Sequence, residues 1–88
     1  MTHKIKEHIA YRRVSGDLFI VDAAASRLHE LNGPAALIWE GIAAGKSGPA
    51  IISDILSEFD TDEQTARADI SEFTEELVKL GLLTGGKR

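Results

Sequence analysis

Two Gly-Pro steps, Asn32-Gly33-Pro34-Ala35 and Ser47-Gly48-Pro49-Ala50, divide this 88-residue chain and leave little freedom in how it folds. Proline has no N–H to give to a ladder, but in the first turn of a helix that N–H would be unpaired anyway. Asn and Ser are preferred N-caps because a side-chain oxygen accepts from the backbone N–H groups that follow. Each tetrapeptide therefore predicts a helix start. Upstream of Asn32 the apolar spacing is that of strands; downstream it is that of helices. At Leu31-Asn32 a strand ends, and the helix carrying the only tryptophan, Trp39, begins.

Three strands are expected before that corner. Residues 8–14 alternate imperfectly, with Ile9 and Tyr11 on one side and Ala10, Arg12 and Val14 on the other. Ser15-Gly16-Asp17 supplies a turn, with Gly16 as the residue free to take positive φ. Leu18-Phe19-Ile20-Val21 reads as a strand with little exposed surface on either face, bounded by Asp17 and Asp22. Ala23-Ala24-Ala25 is a connection, and Ser26 to Leu31 is the third strand. Links this short make the strands an antiparallel meander, since parallel neighbours need a crossover of about a dozen residues. One edge of that sheet is open unless something covers it.

Three helices follow. The first runs from about Gly33 to Ala44 and ends near Gly45, with Leu37, Ile38, Trp39 and Ile42 on its apolar side. The second, roughly 48–58, presents Ile51, Ile52, Ile55, Leu56 and Phe59. The third starts in Asp60-Thr61-Asp62-Glu63-Gln64, where Thr61 and Gln64 have capping-box spacing. Its seam is Ala66, Ile70, Phe73, Leu77 and Leu80, and Gly81 ends it. Leu82 and Leu83 are expected to turn back onto the core, with residues 84–88 a loose tail. On a helical wheel, Asp69, Glu72 and Glu76 lie on one side of the seam. Arg67, Thr74 and Val78 lie on the other, with Ser71 further round. The first flank reads as solvated and acidic, the second as able to line a groove.

This is one small domain, residues 1–88, with its ordered core over about 8–83, because a chain of this size has interior for a single core. At 43% hydrophobic and 27% charged it has ordinary globular composition, and no run approaches the roughly 20 apolar residues that cross a bilayer. The basic start has no apolar region behind it, so a secretory signal is not indicated. Absence of cysteine excludes disulfides and thiolate chemistry, and cytoplasm is the default expectation. The net charge of −4 is uneven: residues 47–88 hold four Lys/Arg against nine Asp/Glu. An acidic helical half is a poor surface for phosphate, so nucleic acid is disfavoured as a partner.

The look-alike motifs have plainer explanations. Gly45-Lys46-Ser47 resembles the end of a phosphate-binding loop, but the glycine required five residues earlier is Glu40, and the segment follows a helix. His3, His8 and His29 have no ligand spacing, and no metal or cofactor is expected. Ser15, Ser26 and Ser47 serve as turn or cap residues, and the Asp/Glu pairs of the third helix read as a solvated face. No catalytic residue is assigned. Trp39 and the Ile70-Phe73-Leu77 seam read as core.

The pattern Leu31-Asn32-x-x-Ala35-x-x-Ile38-Trp39, then Ile51-Ile52-x-x-Ile55-Leu56-x-x-Phe59, then Asp69-Ile70-x-x-Phe73-x-x-x-Leu77-x-x-x-Gly81-Leu82-Leu83 resembles the PqqD-like family over about residues 8–83. The resemblance implies an α+β fold, winged-helix-like, with a three-stranded antiparallel sheet followed by a three-helix bundle (β-β-β-α-α-α). It also implies a role: a RiPP recognition element, a non-catalytic peptide chaperone of natural product biosynthesis. Such a module binds the leader segment of a ribosomally made precursor peptide and presents the peptide to a modifying enzyme. The leader adds as a strand against the third strand, in a cleft shared with the third helix. Carried over, the peptide-binding residues are Ser26, Arg27, Leu28, His29, Glu30 and Leu31, together with Arg67, Ile70, Thr74 and Val78. His29 marks the place to test for an edge N–H. A radical-SAM enzyme is the modifying partner to look for beside this gene.

Two rival readings stand beside this one. A winged-helix DNA-binding or regulatory protein fits the element order but not the charge, since residues 62–80 hold six acids against Arg67 and Lys79. A homodimer or plain interaction subunit is suggested by the apolar Leu18-to-Val21 strand in so small a protein.

Overall fold

In the computed structural model, which describes residues 3–84, strands β1 (Ile9–Val14), β2 (Asp17–Asp22) and β3 (Arg27–Leu31) are followed by helices α1 (Gly33–Ala43), α2 (Gly48–Glu58) and α3 (Glu63–Lys79). The strands form one antiparallel sheet in the order β1-β2-β3. This is the α+β arrangement expected from the sequence. The hairpin residue in the left-handed region is Ser15 (φ 56) instead of Gly16, and Ser26 (φ 55) belongs to the β2–β3 turn, so β3 begins one residue later than expected. Asp22 is more than a strand boundary. It is buried, its Oδ1 accepts from Ala25 N–H at 3.2 Å, and His8 Nε2 lies 3.3 Å from the same oxygen.

Register fixes the two faces of the sheet, because directly paired residues share a face. Ile9, Tyr11, Leu18, Ile20, Asp22, His29 and Leu31 turn toward the helices. Val14, Val21 and Leu28 are on the other face and exposed, Leu28 by 67%. The expectation that β2 is covered on both faces is therefore corrected: the helices pack on one side only.

The core centres on Trp39, fully buried with Leu18, Ile20, Ile38, Ile51, Ile55, Leu82 and Leu83. Tyr11 of β1 meets its ring edge-on, with centroids 5.6 Å apart. The seam of α3 buries Ala66, Ile70 and Leu77 as expected, with Phe73 and Leu80 partly covered. Thr74 is buried as well; its hydroxyl donates to Ile70 O at 2.9 Å, which satisfies the group inside the core.

The caps follow the sequence in position more than in chemistry. Ser47 Oγ accepts from Ala50 N–H at 3.2 Å. Asn32 occupies the N-cap of α1 but makes no side-chain cap bond. Gly33 takes φ +58 there, so the backbone from Asn32 to Ala35 departs from the turn that brings Ser47 onto Ala50. The cap of α3 is Asp62, with Thr61 one residue outside, and Asp62 Oδ1 accepts from Thr65 N–H at 2.7 Å. At the far end, Gly81 (φ +82) turns the chain: Leu82 N–H reaches Leu77 O and Gly81 N–H reaches Val78 O, a Schellman closure. That closure sends Leu82 and Leu83 into the core. Leu83 bridges Ile5, and Thr84 N–H donates to Lys4 O at 2.8 Å. Thr84 is thus paired instead of loose; residues 85–88 of the expected tail lie outside the described residues.

Two outcomes test these contacts. A Cβ on Gly41 would stand 2.5 Å from Ile51 Cγ1 and 2.8 Å from its Cδ1, and Ile51 is fully buried. Gly41→Ala gains about 1 kcal/mol of helix propensity, but overpacking at this distance costs about 1–3 kcal/mol. Net destabilisation is expected, read as a lower urea midpoint. The Asp62 carboxyl is held below its ordinary range by the Thr65 backbone N–H first and the Thr65 side chain second. A depressed carboxyl stabilises the fold above its unfolded pKa and stops doing so as pH falls through its folded value. Asp62→Asn should therefore lower Tm at neutral pH, and the difference should shrink in acid below the usual carboxylate range.

Candidate functional site

The open edge of β3 is the first element of the site. Val14 and Asp17 close a two-residue turn, so they form a mutually hydrogen-bonded pair. Alternation along the uninterrupted register then points Asp17, Phe19 and Val21 to β1, and Leu18, Ile20 and Asp22 to β3. On β3 the partners Arg27, His29 and Leu31 spend their backbone groups on β2. Leu28 and Glu30 turn their N–H and C=O groups outward. The edge donors are therefore Leu28 and Glu30, not His29, whose side chain lies on the helix-facing side with Nε2 buried and without a partner among the described residues.

Directly after β3 the chain enters the second element, a groove of about 340 Å³. Asn32, Pro34, Ala35 and Ile38 form one wall; Asp69, Glu72, Phe73 and Glu76 of α3 form the other. The α3 residues are spaced 0, 3, 4 and 7, the spacing of a single helix face. The flank that reads from sequence as a solvated acidic surface is thus the one that shares a groove with Asn32, the residue that follows β3. The available signal was Phe73, an aromatic residue set among the three acids. What sequence alone hides is the rotation of α3 about its axis relative to α1.

The other expected helix residues lie elsewhere. Arg67, Ile70 and Thr74 line a separate groove with Pro49 and Ile52 of α2, His3 and Ser71, to which neither β3 nor Asn32 contributes. Ile70 and Thr74 are buried there. The Arg67 guanidinium is tied to Glu63 of its own helix, Nη2 to Oε2 at 2.6 Å. Val78 is partly buried against the core. The packing of α3 turns Arg67, Ile70 and Thr74 toward α2, whereas Asp69, Glu72, Phe73 and Glu76 face α1. Ser26 to Leu31 do stay together along the edge, with Ser26 in the turn that precedes the strand.

Among the described residues, no group of three or more His, Asp or Glu side chains is placed to hold a metal, and no helix is long and apolar enough to cross a membrane.

Comparison with known proteins gives a consistent answer. Nothing among curated protein sequences matches this chain. Two solved structures have the same fold. "TbiB1 in Complex with the TbiA(beta) Leader Peptide" superposes with a TM-score of 0.87 at 21% identity, covering 97% of this chain and 99% of that one. "Lasso peptide synthetase B1 complexed with the leader peptide" gives 0.84 at 20% identity, covering 94% and 98%. The family model of coenzyme PQQ synthesis protein D matches residues 17–83, from the start of β2 through the Gly81 turn to Leu83. With the β-β-β-α-α-α order and the Leu31–Trp39 corner both in place, the chain belongs to the PqqD family.

Proposed function

We propose that this protein is a non-catalytic recognition module that binds the leader segment of a ribosomally synthesised precursor peptide and presents it to a modifying enzyme. The observation that carries the reading is the position of the groove, which begins at Asn32, the residue directly after the open β3 edge. An extended peptide completing the Leu28 and Glu30 backbone groups gains main-chain hydrogen bonds, and its alternate side chains meet the groove wall. Membership of the PqqD family supports the reading, as do the two structural neighbours described in complex with leader peptides. The bound segment lies along Ser26–Leu31 and then meets α1 and α3 at Asn32, Pro34 and Phe73. A DNA-reading winged helix gains no support, since the exposed flank of α3 carries Asp69, Glu72 and Glu76.

The test is an NMR titration with the leader of a precursor peptide encoded beside this gene. Amide shifts are expected over 27–32 and around Phe73; shifts confined to β1 or α2 would overturn the reading. Proline substitutions sharpen it. Glu30→Pro removes an outward N–H while leaving the β2 ladder in place, and should weaken leader binding about three- to tenfold, the worth of one net hydrogen bond. Glu30→Ala keeps that N–H and should bind within about twofold of the parent. His29→Pro removes an N–H that serves β2 and should lower Tm first.

A further inference from the structure

The groove beside Asn32 has an apolar floor and an acidic rim, and the two together describe what fits it. Pro34, Ala35, Ile38 and Phe73 offer carbon surface, with Ile38 almost fully buried beneath. Asp69, Glu72 and Glu76 stand along one wall and are exposed. The ion pairs His8–Asp22, Arg13–Glu40, Lys46–Asp54 and Arg67–Glu63 engage none of these three carboxylates, which are not neutralised by a salt bridge among the described residues. Among the described residues, Asn32 is the one other polar residue lining the groove, and its side chain is not engaged in a cap bond.

We infer that the groove selects a leader segment in which an apolar side chain is flanked by Lys or Arg, the apolar group seated on Phe73, Pro34 and Ile38 and the cation held among Asp69, Glu72 and Glu76. This deepens the leader-binding reading above and rests on it. Lys and Arg suit the place for a second reason: their methylene stems cover apolar surface while the charged head stays in water at the rim. An acidic residue at the same position would meet three like charges, so the rim rejects as well as attracts. The groove opens where β3 ends, so register follows. A peptide paired along Leu28 and Glu30 brings its flanking residues to the groove, and the cation fixes which pairing frame is used.

The probes are synthetic strand-forming peptides carrying one Leu anchor with Lys, Gln or Glu beside it, titrated against the whole protein at low and high salt. The Lys peptide is expected to bind about three- to tenfold tighter than the Glu peptide at low ionic strength, with the gap narrowing as salt screens exposed charges. Glu72→Gln should reduce that preference. Glu75→Gln, which changes net charge equally on the same helix but does not line the groove, should leave it in place. Equal affinity for the three peptides, with amide shifts still at Leu28 and Glu30, would overturn the charge selection and leave strand addition standing. An equal loss of preference in Glu72→Gln and Glu75→Gln would also overturn it, by assigning the effect to net charge. Absence of shifts along β3 with every peptide would overturn both readings.

Discussion

Sheet and helices are joined through one indole. Trp39 is fully enclosed, with Tyr11 of β1 edge-on against it and the buried Leu18 and Ile20 of β2 in the same core cluster. Truncating a core tryptophan typically costs about 3–5 kcal/mol, a large share of what holds a domain this small together. Because the helices cover one face of the sheet only, nothing on the opposite face offsets such a loss. Gly33, at φ +58, forms the joint between β3 and α1, and the groove between α1 and α3 begins at that joint.

Gly41 lets the Ile51 side chain of α2 pack directly onto the α1 backbone, in the space a Cβ there would take. Arg13 forms a two-pronged bond with Glu40, which ties β1 to α1 at the surface. The pair is half-exposed, so its direct energetic worth is small. Its value is geometric, since it holds the turn of α1 that carries Trp39 over the sheet. The guanidinium is correspondingly harder to deprotonate, the hydrogen bond to Glu40 being the main cause.

Local rules were enough to read the element order and most of the core. Gly-Pro steps, alternation in β1 and the seam of α3 each depend on neighbours a few residues apart, and each is found as expected. Details requiring a partner element were not readable. Ser15 in place of Gly16 at positive φ follows from the hairpin twist. The burial of Thr74 follows from α3 packing against α2, and the placement of Asp69, Glu72 and Glu76 follows from how α3 lies against α1. The third strand could be located from its residues, but which amides face outward depends on the pairing frame with β2. That frame moves the edge donors from His29 to Leu28 and Glu30. The resemblance to the PqqD-like family implied the Arg67, Ile70, Thr74 and Val78 side of α3, whereas the groove next to Asn32 is lined by Asp69, Glu72, Phe73 and Glu76.

The pairing of Ile5 with Leu83, extended by Thr84 onto Lys4, brings the two ends of the described chain side by side close to the entry of β1. Two strands separate that point from the open edge. A module whose described ends lie side by side, next to the strand at the opposite edge of the sheet from β3, behaves like a bead on a clip. It can be spliced into a larger polypeptide, or cut and rejoined elsewhere in its loops, while the open edge of β3 stays clear of the attachment.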